Sequence, residues 1–399
     1  MPDSRPLLMI PGPVEISPAV RERFGEPPPG HQSPGVIEAF GSSLEMMRKV
    51  WMAGASDQPF VFAGGGTAAM DMAVANLLEP GERALLVNTG FFSDRLKQML
   101  QRQGVEVVEV RAAVGDVPTT DAVQDALEAH ATSPPFKALL ATHVDTSTGV
   151  RLDPRPLARL AHERGLLSVF DGVCATAAEP FDMAGWSADV YLTASQKAIG
   201  LPPGLALMVV SAKALEVRSS RRSAAPPMYL DWEEWLPVMR AYEERRPAYF
   251  STPATNLILA LEVGLREILE AEIRNRFALH ETAGRAMRAG WRAMGLGLVP
   301  LREELAANTL SAVKLPDGVE PTIVRGILEH GVVAAGGLLP EIRSTYFRVG
   351  HMGYAATQPQ MLTRTLKAVG AALGDQGVEL NPEEAVEAAT SILADGSTA

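Results

Sequence analysis

Apolar residues in the first half of the chain fall into short, nearly continuous runs, separated by stretches in which they return every three or four positions. The runs read as buried strands at 60–63, 83–88, 105–110, 137–143, 166–170, 188–193 and 205–210, and most of the stretches between them read as amphipathic helices. Such alternation is the pattern of βαβ units. It predicts an α/β fold whose large domain is a mostly parallel seven-stranded sheet flanked by helices. The punctuation agrees: Gly104 and Gly165 stand where C-cap glycines would end helices before strands, and Pro80-Gly81 marks a turn.

A longer helical pattern runs from Asn256 to Phe277, with Leu257, Leu261, Leu265 and Ile268 at helical spacing, and leads away from the sheet unit. Beyond it, helices mix with short strands at 311–315 and 345–350, which predicts a smaller α+β C-terminal domain. The expected division is an N-terminal segment 1–20, a large domain 21–264 and a small domain 265–399. Pro382-Glu383-Glu384 opens a last helical run, with acidic side chains where the helix macrodipole favours them.

A chain of 399 residues, 47% hydrophobic and 21% charged, is ordinary for a globular protein of two or three domains. The net charge of −11 lacks the basicity that nucleic acid or an anionic membrane calls for. The one basic cluster, Arg218 with Arg221 and Arg222, reads as a solvated loop face. The single cysteine, Cys174, rules out an internal disulfide framework and a CxxC pair, as expected in a reducing, cytoplasmic setting. Only four apolar residues, Leu7 to Ile10, precede Pro11-Gly12-Pro13, too few for a signal-peptide core. The uncharged stretch Ala198 to Ala212 is cut by Pro202-Pro203-Gly204 and falls short of a membrane span.

Ligands of open α/β sheets bind beyond the carboxyl ends of the strands, so the residues that follow each run carry the chemistry. Gly64-Gly65-Gly66-Thr67 follows the first run and opens a helix, and Thr89-Gly90-Phe91-Phe92 follows the second. Asp145-Thr146-Ser147-Thr148-Gly149 follows the fourth, Asp171 ends the fifth, and Ser195-Gln196-Lys197 follows the sixth. Singly, each is ordinary: a glycine turn, core phenylalanines, turn hydroxyls, a loop-capping aspartate, a surface lysine.

The lysine usage sharpens the picture. Only seven of the 36 basic side chains are lysines, so where charge alone suffices this chain uses arginine. Lys49, Lys97, Lys213 and Lys367 fall in amphipathic helical patterns, and Lys137 and Lys314 at strand ends. Lys197 alone lies between two apolar strands, surroundings that depress the pKa of an amine and leave it nucleophilic. A lysine for an aldehyde, a glycine-rich helix start for a phosphate, a carboxylate for a pyridine nitrogen and an aromatic face such as Phe92 for a flat ring are together what pyridoxal 5′-phosphate requires.

The segments HVDTSTGV, VFDGVCA and YLTASQKAIGLPPGLALM, which contain Thr146, Asp171 and Lys197, closely resemble class V aminotransferases of the pyridoxal-phosphate fold type I group, in the alanine–glyoxylate and serine–glyoxylate branch. The resemblance extends from PGPVEI near the start to FRVGHMG near the end. It implies that Lys197 is the catalytic lysine that holds the cofactor aldehyde, that Asp171 binds the pyridine nitrogen, that Val173 packs on the ring face opposite Phe92, and that Thr146 donates to the ring oxygen. It assigns Gly65, Gly66, Thr67 and Gln196 to the phosphate, with Tyr249 and Thr252 of AYFSTPATNL reaching in from the other subunit of a homodimer with shared active sites. Arg348 would clamp the substrate carboxylate, the alternative for it being a strand-edge salt bridge. His31 and Gln32, in a segment that reads Gly30-His31-Gln32-Ser33-Pro34 where the family has a GHRSP-like run, would lie on the substrate side. The implied reaction moves an amino group from a small amino acid, alanine or serine, to a 2-oxo acid such as glyoxylate or pyruvate.

FRVGHMG and RAGWRAMGLGL are also similar to pyridoxamine–pyruvate aminotransferase, which carries an acidic residue in its glycine-rich loop where a phosphate would clash. The loop here, Gly64-Gly65-Gly66-Thr67-Ala68-Ala69, has none. A pyridoxamine–pyruvate or ureidoglycine–glyoxylate activity is the alternative within the branch. Outside it, a nicotinamide dehydrogenase would need GxGxxG and an acidic residue after the second strand, where Asn88 stands. A cysteine desulfurase needs its cysteine on a mobile loop, whereas Cys174 follows Asp171 by three residues. A non-catalytic binding protein has no use for Lys197, Asp171 and Arg348 together. The seven histidines include no HExxH, so a metal site is not expected.

Overall fold

The computed structural model describes residues 5–131 and 134–396, so the reading of Met1 to Ser4 lies outside the described residues. Seven strands form the large sheet: β1 (Gln58–Ala63), β2 (Arg83–Asn88), β3 (Glu106–Arg111), β4 (Phe136–Thr142), β5 (Leu167–Asp171), β6 (Val190–Ala194) and β7 (Leu205–Val210). Their order is β1-β7-β6-β5-β4-β2-β3. Only β7 runs antiparallel to its neighbours, β1 and β6, and every other pair is parallel. The carboxyl ends of the remaining six strands therefore share one edge. Every residue of β2 and of β7 is buried, as unbroken apolar runs require when helices cover both faces of a sheet. Gly104 and Gly165, at φ +78° and +71°, follow the ends of two of those helices in the left-handed conformation a C-cap glycine supplies.

The long pattern after residue 255 proves to be two helices, α3 (Thr255–Glu270) and α4 (Ile273–Ala293), with Glu272 at φ +59° between them. The apolar spacing continues through the break because both helices bury one face. What changes is the core they face. Helix α3 packs on the helix Pro34–Val50 within the core of the large sheet, whereas α4 packs on the C-terminal helix Pro382–Gly396 in a second core with Trp291, Phe347 and Leu366. That second core also takes in the start of the chain. Leu7 and Leu8 pair in parallel with Val332 and Val333, after which Pro11-Gly12-Pro13 leads the chain back to the edge of the large sheet.

Of the basic cluster, Arg222 is exposed on a loop as expected, but Arg218 and Arg221 are engaged with the protein. Arg218 sits on the helix Ala212–Ser219, is 5% exposed, and donates through Nε and Nη2 to the two carboxylate oxygens of Asp231 at 3.0 and 2.6 Å. Arg221 donates through Nη1 to the carbonyls of Ala75 at 2.8 Å and Leu78 at 3.2 Å, at the end of the helix Gly66–Leu77, where the last carbonyls lack partners and the macrodipole favours a cation. Among the described residues no helix is long and apolar enough to cross a membrane.

Candidate active site

The carboxyl edge of the sheet opens on a cavity of about 170 Å³ lined by Gly66, Thr67, Phe92, Thr146, Asp171, Val173, Gln196 and Lys197. These residues come from five separate connections after β1, β2, β4, β5 and β6, and the shared direction of those strands brings them together. Gly65 adjoins them as the N-cap of α1 (Gly66–Leu77). It offers no side-chain cap, so the first N–H groups of this 12-residue helix are left for a ligand. A Cβ on Gly66 would lie 2.6 Å from Cγ2 of Val173, so only glycine lets the helix start approach the β5 connection this closely.

Phe92 is held from another loop. Asp145 accepts hydrogen bonds from the Phe92 N–H at 3.0 Å, the Ser147 N–H at 2.9 Å and Ser147 Oγ at 2.6 Å, while Ser147 Oγ accepts from the Phe91 N–H at 3.0 Å. A carboxylate from the β4 connection thus caps α2 (Phe91–Arg102) and fixes its first turn. Burial pushes the Asp145 carboxyl up, and these hydrogen bonds pull it back.

Asp171 is fully enclosed, and its carboxylate accepts from the Val173 N–H at Oδ1, at 2.9 Å. Burial drives its pKa up to about 7; the Val173 N–H, Lys197 and Arg95 oppose that rise, and Asp145 adds to it. A cationic N–H group facing this carboxyl would be held tightly. Burial holds the Lys197 amine below its ordinary pKa, and the nearby Arg348 guanidinium lowers it further. Lys197 Nζ donates to the carbonyl of Pro11, so the N-terminal segment positions the amine. The Cys174 thiol is pushed up to about 11 by burial and lies 3.9 Å from the Met352 sulfur, which leaves it a poor nucleophile.

Arg348 is on the strand Tyr346–Gly350, the middle member of a three-stranded sheet, rather than at an edge. Its Nε donates to the Gly336 carbonyl at 2.8 Å and its Nη1 to the Thr146 carbonyl at 3.2 Å. It makes no ion pair among the described residues, so the strand-edge salt bridge is not what is found. A largely buried guanidinium held by carbonyls beside Thr146 is an unspent site for a carboxylate.

Besides Gly65 and Arg348, which adjoin the cavity without lining it, four expected residues are not on its wall. Tyr249 is 60% exposed, with its hydroxyl 3.3 Å from Thr252 Oγ1, and its ring lies 5.5 Å from that of His31. Gln32, next in the chain, is exposed. Tyr249, Thr252 and His31 thus meet one another at the surface rather than on the cavity wall. Sequence reasoning, in turn, missed Arg95 and gave no role to Asp145 or Gly12. Arg95 lines the cavity, lies 5.1 Å from the centres of both the Phe91 and Phe92 rings, and donates to Thr67 Oγ1 at 2.9 Å. Its place one turn after Phe92 on a helix was a usable signal.

This donor set fits pyridoxal 5′-phosphate. The open helix start and the Gln196 side chain on the cavity wall, whose amide N–H groups can donate, suit a phosphate. Phe92 and Val173 give the cavity apolar walls for a ring, Asp171 suits a pyridine nitrogen, and Lys197 suits an aldehyde.

The family model for class-V aminotransferases matches residues 42–224. Alanine–glyoxylate aminotransferase 1 of Saccharomyces cerevisiae is 34% identical over 362 residues, covering 88% of this chain and 92% of that protein. L-aspartate–glyoxylate aminotransferase of Paracoccus denitrificans is 33% identical over 87% of this chain and 86% of its own length. Among solved structures, pyridoxamine–pyruvate aminotransferase of Mesorhizobium loti superposes with a TM-score of 0.90 at 26% identity, covering 98% of each chain.

Proposed function

The chain belongs to the class-V aminotransferases, enzymes of fold type I that depend on pyridoxal phosphate, and from that premise we propose that it moves the amino group of a small amino acid, alanine or serine, to a small 2-oxo acid such as glyoxylate or pyruvate. The observation that carries this reading is Arg348: a guanidinium with no carboxylate partner among the described residues, bonded to the carbonyl of Thr146 on the wall of the Lys197 cavity. Substrates of this reaction share one α-carboxylate, and the planar fork can bind and orient it in both donor and acceptor.

The bound cofactor supplies an aldehyde that takes up the amino group and a ring that withdraws electrons from the substrate α-carbon. Lys197 binds the aldehyde through Nζ. Released by the donor amine, the same Nζ, whose pKa burial lowers, would be the base that moves the proton of the substrate α-carbon. Asp171 holds a proton at the pyridine nitrogen, Thr146 donates to the ring oxygen, and Phe92 and Val173 fix the ring plane. Gly65, Gly66, Thr67 and Gln196 bind the phosphate. The loop from Gly64 to Ala69 carries no carboxylate, which supports a phosphorylated cofactor over free pyridoxamine as a substrate.

The reading also takes the enzyme as a cytoplasmic homodimer with shared sites. Its support is the cluster of Tyr249, Thr252, His31 and Gln32, which does not line the chain's own cavity and is suited to complete that of a partner. The test of the reaction is a screen of single amino acids against the yellow holoenzyme, following the bleaching of cofactor absorbance. Alanine or serine should bleach it fastest. Formation of pyridoxal when free pyridoxamine and pyruvate are added to the apoenzyme, with no bleaching of the holoenzyme by either amino acid, would replace this reading with the alternative.

A further inference from the structure

Behind the turn that carries Lys197 lies a second cavity, of about 230 Å³, where α3, α4 and the segment after Gly353 meet. Its floor is Arg276, on the first turn of α4, only 9% exposed. Arg276 Nε is buried without a hydrogen-bond partner, and the guanidinium makes no ion pair among the described residues. Burial lowers its pKa to about 10, with Glu267 the one neighbouring charge that opposes this. A charge so enclosed and unpaired is costly unless a ligand meets it.

The other charge on the cavity is Glu267, on the last turn of α3 at the exposed rim. It accepts a hydrogen bond from Ser17 Oγ at 2.8 Å, which fixes one of its oxygens, and it does not close on Arg276. His280, one turn beyond Arg276, adds no charge. Its Nε2 accepts from the Gly353 N–H at 3.0 Å, so Nδ1 carries the proton and donates to the Arg276 carbonyl at 2.8 Å, and burial holds the ring neutral with a pKa of about 3. The rest of the lining is apolar or lacks a side chain at Ile199, Gly200, Gly264 and Ile268, and carries only neutral hydroxyls at Ser17, Tyr354 and Thr357.

We propose that this cavity is a second binding site, for a small zwitterionic amino acid, with the ligand carboxylate on Arg276 and its ammonium on Glu267. A simple anion leaves the rim carboxylate facing a like charge, and a simple cation leaves the buried guanidinium unmet; only a ligand carrying both charges satisfies the two together. The site touches the catalytic turn from behind. Ile199 and Gly200 follow Lys197 by two and three residues, and the Gly200 N–H donates to the Lys197 carbonyl at 2.8 Å. Ala271, beside the break at Glu272, also lines it, so a bound amino acid bridges the two helices on either side of that break.

The experiment uses holoenzyme of the Arg348→Ala variant, reduced with borohydride so that no amino acid can react at Lys197 or be clamped at Arg348. Equilibrium dialysis with radiolabelled L-alanine should then show one molecule bound per subunit. Arg276→Met and Glu267→Gln, each added to that background, should weaken binding at least tenfold. Glu267 is exposed, so its substitution leaves the fold intact and decides the matter if Arg276→Met does not fold. Unlabelled L-alanine should displace the label at concentrations at least tenfold below those of pyruvate or ethylamine, each of which carries one of the two charges. No bound label, binding indifferent to Glu267→Gln, or displacement by pyruvate as effective as by L-alanine overturns the proposal.

Discussion

A Cβ on Gly12 would lie 2.5 Å from Cδ of Lys197, and Gly12 itself adopts φ +104°, a conformation open to glycine. The lysine side chain therefore passes through the space a larger residue would fill, on its way to the Pro11 carbonyl. Gly12→Ala should displace the amine at a cost of roughly 1–3 kcal/mol in strain, or about tenfold or more in the fraction of cofactor held covalently. Titrating apoenzyme with pyridoxal phosphate and reading the absorbance of the lysine adduct checks this; a wild-type titration would show that the turn has slack.

Lys197→Ala should abolish covalent attachment and slow turnover by at least about a thousandfold, the scale of a lost general base. Of the other six lysines, Lys97, Lys137, Lys213 and Lys367 are tied to carboxylates in ion pairs, and none of the six lines the cavity. Borohydride reduction and peptide mapping of the wild type should find label on Lys197 alone.

Asp171 gives a prediction with a pH signature. Its folded-state pKa of about 7 stands above the ordinary 3.8, so between those values the folded apoenzyme keeps a proton the unfolded chain has already lost. The contribution to stability is present below about pH 4 and is lost as pH rises through 7. Asp171→Asn removes this loss. The stability of the apo variant relative to wild type should increase from pH 4 to pH 7 by on the order of 1–4 kcal/mol and then level off. Urea midpoints at a series of pH values measure it, and a flat difference would place the carboxyl in an ordinary environment. In the holoenzyme the same variant should slow α-proton removal by a hundredfold or more, on the general acid–base scale.

Arg348→Lys keeps the positive charge but loses both the fork and the bond from Nε to the Gly336 carbonyl. The KM for the amino donor should rise by about tenfold or more while cofactor affinity stays unchanged. Steady-state kinetics beside a cofactor titration separates the two; an unchanged KM would put the carboxylate elsewhere.

Shared sites can be tested by complementation. Chains with Lys197→Ala and chains with Tyr249→Phe and Thr252→Ala should each be inactive alone. Co-expressed, they should regain activity, since a mixed dimer then has one doubly damaged site and one intact site. Mixed dimers that form and stay inactive would mean that Tyr249 and Thr252 act within their own chain.

The large sheet was legible because unbroken apolar runs have few solutions other than a strand buried on both faces, and glycines with positive φ mark where helices must end. Lys197 stood out by its apolar flanks and Asp171 by its place at a strand end, both local properties of the sequence. The limits of local reading appear at particular residues. Periodicity reports which faces are buried but not which core buries them, so the break at Glu272 was invisible to it. Arg218 and Arg221 looked solvated because their partners, Asp231 and the carbonyls of Ala75 and Leu78, come into reach only when the chain folds back. The roles of Gly12 at the lysine, of Asp145 at the start of α2 and of Arg276 on the second cavity depend on contacts between segments far apart in the chain. A sequence fixes what each side chain can do by its chemistry; which partner it meets, and whether it is left without one, is decided by packing.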